Sequence, residues 1–311
     1  MTCLPTSVIV FLSAATVFAG TAGAQYEAED AEQPSAATID YTFNAGFEYQ
    51  MGTGIDDGGD FDVARPSIGL SAKTSLMDDL DLTLLLNYEF SAYEFDGETS
   101  FGGRDPWDSI HQIGIGALFT LTPTDDWAIF GGPLFQFAAE TDADFADGFT
   151  GGGLVGASHR FSEQLLIGAG IGVVSQIEDS NRFFPVFILD WKILDDLRLT
   201  SRTSASAVGR TGIELVYSAT REWDIAVGGA HEIRRFRLDG DGMAPDGVGG
   251  ETGYPIWARL SYGANPNLDL NLYAGLVVGG DLRLDNSAGR QLGSKDFEPA
   301  GLFGVSASIR F

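Results

Sequence analysis

The 311-residue sequence predicts an all-β chain: a closed antiparallel up-and-down transmembrane β-barrel of about 14 strands, with 12 as the alternative count. Three observations predict it. Segments of alternating apolar and polar residues recur to the C-terminus, which is the period of a strand and not of a helix. The connections between them alternate between short and mostly long. No apolar run beyond the N-terminal segment reaches the ~18 residues that a spanning helix needs, whereas a strand crosses with ~9–11.

Residues 1–24 carry no charge, contain VIVFLSAATVFAG and end in Ala22-Gly23-Ala24, which reads as a secretory signal peptide. MTCLPTS has no Lys or Arg, a departure from that pattern. An acidic, disordered tail is expected over 25–37 and the barrel over 38–311. Cys3 is the only cysteine and precedes the apolar run, so the mature chain would hold no thiol. Disulfides, thiolate metal sites and cysteine nucleophiles are thereby removed. The formal net charge of −26 argues against nucleic acid as a partner, and 44% hydrophobic content argues against a disordered acidic chain.

The first strand alternates Ile39, Tyr41, Phe43, Ala45, Phe47 and Tyr49 with Asp40, Thr42, Asn44, Gly46 and Glu48. The third opposes Leu80, Leu82, Leu84, Leu86, Tyr88 and Phe90 to Asp81, Thr83, Leu85, Asn87 and Glu89. The seventh sets Leu165, Ile167, Ala169, Ile171 and Val173 against three glycines. The eighth sets Phe187, Leu189, Trp191 and Ile193 against Asp190 and Lys192, and the thirteenth sets Leu268, Leu270, Leu272 and Leu276 against Asp269, Asn271 and Gly275. The ninth, LRLTSRTSA, is the least regular; its merger with a neighbour would leave twelve strands. The short turns fall at 77–80, 122–126, 162–164, 194–196, 220–222 and 264–267. The other connections fall near 55–60, 96–106, 141–148, 178–181, 206–210, 239–253 and 285–296. Six turns and seven loops join fourteen strands, which puts both termini on the short-turn side.

Soluble sandwiches also alternate, but one sandwich core would not bury apolar faces on so many strands, whereas a bilayer covers an outer wall of any circumference. Aromatic residues cluster at both rims: Tyr41, Trp127, Phe161, Trp191, Trp223, Tyr262 and Phe311 beside the turns, and Tyr88, Phe90, Phe149, Phe183 and Tyr254 at the other end. Rings of this kind prefer the headgroup region.

The last strand, GLFGVSASIRF, ends on Phe311 at the turn-side rim. It resembles the C-terminal signal by which bacterial outer-membrane proteins are recognised for assembly. WKILDDLRLT at 191–200 and GIELVYSATREWDIAVGGAHEIRRFRLD at 212–239 resemble a domain-of-unknown-function family of porin-like outer-membrane barrels. The resemblance implies a place, the bacterial outer membrane, and two partners, outer-membrane lipid and the assembly machinery. It implies no activity.

By phase, Lys192, Arg198, Arg202, Arg234 and Arg259 face the lumen from strands eight to twelve, with Arg160 and Arg310 further round. Asp40, Glu48, Asp81, Glu89 and Asp269 face it from strands one, three and thirteen. Opposite signs on opposite walls would make a transverse field that orients small polar solutes, and glycine-rich inner faces would leave room for them. In IRRFRL, a phase shift between Ile233 and Phe236 suggests a bulge aiming Arg235 and Arg237 inward. The expected function is a passive channel for small hydrophilic solutes. The alternatives are a structural or adhesive barrel with paired charges and a closed lumen, or a surface hydrolase using His111 beside Asp108 and Ser109.

His159 and His231 fall in the outward phase. No catalytic residue, metal ligand or cofactor is assigned. Calcium is the one ion considered, at Asp56, Asp57, Asp60 and Asp62, at Asp142, Asp144 and Asp147, and at Asp239, Asp241 and Asp246. None of these loops completes a twelve-residue calcium motif.

Overall fold

The computed structural model describes residues 39–97, 101, 105–201 and 210–311. The signal-peptide and tail segments, and Arg202, lie outside these residues. Alternating residues form long strands in chain order: β1 (Ile39–Gly54), β2 (Asp60–Met77), β3 (Leu80–Asp96), β4 (Ser109–Leu121), β5 (Trp127–Glu140), β6 (Phe149–Ser162), β7 (Leu165–Gln176) and β8 (Asp179–Leu194). They continue with β9 (Leu197–Thr200), β10 (Arg210–Ser218), β11 (Trp223–Arg237), β12 (Val248–Asn265), β13 (Leu268–Asp285), β14 (Gln291–Phe297) and β15 (Ala300–Arg310). A 3-10 turn, Phe145–Gly148, precedes β6 and is capped by the Asp144 side chain accepting from the Ala146 amide.

From β1 to β14 each strand pairs antiparallel with the next, and β1 pairs with both β2 and β15, so the sheet closes on itself. β14 and β15 both pair with β13, above and below Glu298 and Pro299. They are two halves of one interrupted strand, and the barrel therefore has fourteen strand positions. Sequence reading places 285–296 in a loop. The structure instead continues the sheet over Gln291–Phe297, because the pairing surface of β13 runs on to Asp285. The brief connection expected at 178–181 narrows likewise to a turn at 177–178.

Closure explains the terminal aromatic residue. The Tyr41 and Phe311 backbones exchange two hydrogen bonds of 2.9 and 3.0 Å. Their rings stack with centroids 6.0 Å apart. A barrel leaves no unpaired edge to meet hydrocarbon.

The outer wall is apolar. Leu84, Leu86, Ile115, Ile129, Ile171, Phe187, Val227, Ile256, Leu272 and Val305 are exposed there, as strand phase requires for lipid contact. At the turn-side rim Trp127 lies 4.5 Å from His159, His159 lies 4.6 Å from Phe161, and Trp223 lies 4.7 Å from Tyr262, measured between ring centroids. β1, β2, β3, β12 and β13, each of 16 to 18 residues, exceed the ~9–11 residues needed to span and so rise past the apolar wall on the loop side. Their upper ends enclose an apolar cluster that includes Phe61, Val63, Tyr93, Trp107, Phe236, Leu282, Leu284 and Phe297. In β13 the alternation shifts at Gly279, whose φ of +59° suits glycine, and this turns Leu282 and Leu284 into that cluster.

Candidate functional site: the lumen

Polar side chains pointing inward must find partners inside the barrel, since an unpaired buried charge costs several kcal/mol. At mid-height they do. Arg65 on β2 donates through Nη2 to both carboxylate oxygens of Glu251 on β12, at 2.9 and 2.6 Å. Its Nη1 lies 3.9 Å from Glu48. The Tyr93 hydroxyl donates to Glu251 at 2.5 Å and the Tyr273 hydroxyl to Glu48 at 3.1 Å. Arg234 lies between Glu89 at 3.1 Å and Glu232 at 2.7 Å. Arg259 donates to Glu214 through Nε and Nη2 at 3.0 and 2.8 Å, and Glu214 also accepts from the Trp257 indole at 2.7 Å. All eight charged residues are at most 8% exposed. They bridge β1, β2, β3, β10, β11 and β12 and fill this part of the lumen.

Across β4 to β8 part of the inner face is apolar instead, with Leu118, Phe130, Leu154, Phe184, Val186 and Ile188 buried. The space at five of the inward glycines is filled by a facing ring. Phe130 pairs across strands with Gly156, Phe184 with Gly172, Phe236 with Gly249, Phe297 with Gly280 and Tyr273 with Gly304. A Cβ on any of these glycines would overlap the facing ring. The expectation that inward glycines leave room for solute is therefore corrected at these five positions, where they seat aromatic rings.

On the loop side the tip of β11 leans across the mouth. Arg237 pairs in parallel with Ala139 of β5, a strand that is not its neighbour in the barrel wall. The Arg237 guanidinium donates to Glu178 at 2.7 Å and to the carbonyls of Asp246 at 2.6 Å and Asp147 at 3.2 Å. Arg235 donates to Asp285 at 3.0 Å and to the Ile177 carbonyl. The expected bulge between Ile233 and Phe236 is absent. Register from Glu232 to Arg237 against β12 is continuous, and Phe236 points inward because the interior there is apolar. Arg235 and Arg237 occupy the other face and are covered because the strand tip leans over the β7–β8 turn.

On the turn side the pairs are more exposed. Lys73 binds Asp81 at 2.9 Å, Lys192 binds Asp195 at 2.9 Å and Arg310 binds Asp269 at 2.5 Å. Arg198 binds Asp190 through both Nε and Nη2.

Of the lumen residues expected from phase, Glu48, Glu89, Arg234 and Arg259 thus meet in the buried layer. Asp81, Lys192, Arg198 and Asp269 lie in separate pairs at the turn-side mouth, and Asp40 is exposed at the start of β1. The expected division of charge into two walls does not hold: Arg65 lies on the acidic side, and Glu214, Glu232 and Glu251 lie on the basic one. Strand phase could have found Arg65, Glu214 and Glu232, whereas the glycines around Glu251 conceal its phase.

His111, the base of the hydrolase alternative, faces outward. Its Nδ1 lies 2.8 Å from the Tyr88 hydroxyl, and its ring packs 5.0 Å from Phe90. The Ser109 hydroxyl bonds Asp108 at 2.8 Å and Thr141 at 2.6 Å, not the imidazole. His231 also faces outward, 4.8 Å from the Tyr254 ring. Among the described residues no three carboxylate, imidazole or thiolate side chains converge as a metal site. In the loops considered for calcium, Asp57 is held by Lys295 at 2.5 Å, Asp144 caps the 3-10 turn, and Asp239 accepts from the Asp241 amide at 2.9 Å.

These features define a fourteen-stranded transmembrane β-barrel with a buried layer of ion pairs across part of its lumen. No family model matches the chain, and no curated protein matches it. Among solved structures, it is similar to the COG4313 outer membrane channel from Pseudomonas putida F1, at 10% identity over 92% of this chain and 100% of that one, with a TM-score of 0.47. It is also similar to Pseudomonas putida OprB at high pH, at 9% identity over 88% and 94% with a TM-score of 0.42. A third is the Pseudomonas putida toluene transporter TodX, at 11% identity over 86% and 89% with a TM-score of 0.37. At such values the likeness carries no functional argument, and the barrel assignment rests on the strand register above.

Proposed function

We propose that this chain is a bacterial outer-membrane channel for small hydrophilic solutes, held shut at rest by the mid-height ion pairs and by the tip of β11. The supporting observation is the buried layer around Arg65, Glu251, Arg234, Glu89, Arg259 and Glu214. An apolar filling of similar volume is often as stable as buried ion pairs or more so, so stability alone does not account for the layer. Ionisable groups at membrane depth mark routes for ions and solutes. In this reading the short turns face the periplasm, the long loops face outward, an N-terminal signal directs export, and the strand ending at Phe311 engages the assembly machinery.

Liposome swelling tests the reading. Vesicles carrying the folded chain should swell in a small sugar or salt faster than empty vesicles, and faster still when Arg237→Ala frees the β11 tip. The filled lumen also suits a purely structural barrel, for which neither preparation would exceed empty vesicles.

A further inference from the structure

We propose that the turn-side mouth of the lumen holds a binding site for small amphipathic monoanions: carboxylates with a short apolar body. A cavity of about 330 Å³ opens there, in the size range of small-ligand sites, and Arg160, Leu166, Asp190, Lys192, Arg198 and Ser218 are among its lining residues. All six lie in the lumen-facing phase of their strands, and Arg160 is directly paired with Leu166.

The three cations are not equivalent. Asp190 holds Arg198 and Asp195 holds Lys192, whereas the Arg160 side chain has no ion-pair partner among the described residues. The Lys192 and Arg198 side chains are each 47% exposed, so both present donors that an anion can reach. A guanidinium beside an ammonium is the arrangement that takes a carboxylate by charge-assisted hydrogen bonds.

Leu166 decides against a bare inorganic ion. It lines the cavity and also packs against the apolar cluster of Leu118, Phe130, Leu154, Phe184, Val186 and Ile188. A bound molecule therefore meets both the cations and the Leu166 side chain. Glu163, Asp195 and Asp196, from the turns, also line the cavity and disfavour a multiply charged anion more strongly than a singly charged one.

The site stands on this geometry whether or not the barrel conducts, so the test reads binding. Hexanoate, hexanol and inorganic phosphate are titrated by calorimetry into the full chain folded in amphipol, with heat-dependent gel mobility as the folding control. Hexanoate should bind saturably to one site and more tightly than hexanol or phosphate. Arg160→Gln should weaken it about tenfold, as loss of one hydrogen bond to a charged group implies. Leu166→Asn should weaken hexanoate and leave phosphate unchanged. If Arg160→Gln does not fold, Lys192→Gln at the exposed rim serves in its place. Absence of saturable hexanoate binding, equal binding by the variants, or phosphate binding as tightly as hexanoate would each overturn the proposal.

Discussion

Arg65 and Glu251, 186 residues apart in the chain, meet through one guanidinium nitrogen and both carboxylate oxygens at 2.9 and 2.6 Å inside the barrel, and neither is more than 5% exposed. Arg65→Met leaves Glu251 and Glu48 without their shared cation. Denaturant unfolding in a bilayer should show a loss of about 3–5 kcal/mol, the cost of an uncompensated buried charge. Adding Glu251→Gln to that variant should recover a substantial part of the loss, since the second change removes the orphaned charge. An Arg65→Met barrel as stable as the parent would mean that water reaches the layer.

The five glycine and ring pairs make a second prediction. Gly172→Ala places a methyl group inside the Phe184 ring and should cost about 1–3 kcal/mol through overpacking. Phe184→Leu in the same chain should relieve part of this cost. Gly52, which has nothing within 4 Å of a would-be Cβ, is the matched control, and Gly52→Ala should be near neutral.

At the mouth, Arg237 ties β11 to Glu178 and to two loop carbonyls. Arg237→Ala should free the segment 238–247, and limited proteolysis of the folded barrel should then cleave within it much faster than in the parent. Equal cleavage rates would show that Phe236 and Leu238, buried in the apolar cluster, hold the tip without the guanidinium.

The β1–β2 loop carries a pH dependence. The Lys295 ammonium donates to Asp57 at 2.5 Å and holds that carboxyl below the usual carboxylate range. A depressed pKa in the folded state means that the contact stabilises fully above the ordinary carboxylate value of ~3.9 and is lost as pH falls through the lower, folded value. Exchange of the Asp56 amide, which donates to the Asp296 carbonyl at 2.9 Å, should stay slow from neutral pH down to that range. Below it, opening should increase beyond the intrinsic pH trend, and Asp57→Asn should remove that increase.

Much of this was legible from period two alone. Alternation sorted Leu84 and Leu86 to the lipid face and Glu48, Glu89, Arg234 and Arg259 to the lumen, and it made GLFGVSASIRF a strand. Phase says which wall a residue belongs to, but not which residue lies opposite across the interior. That depends on the barrel cross-section, so the partnership of Arg65 with Glu251 was out of reach. Arg65 itself shares the phase of Phe61 and Val63 and was readable, whereas Glu251 stands among glycines that conceal the alternation. The glycine faces misled for a related reason: the ring that fills each gap sits on the neighbouring strand. In β11 the apolar cluster, and not a bulge, accounts for Phe236.

Single-channel recording in planar bilayers tests the central claim most directly. The account predicts infrequent discrete openings from the parent chain and more frequent ones from Arg237→Ala. Chains inserted and folded by heat-dependent gel mobility, yet silent in both forms, would contradict it.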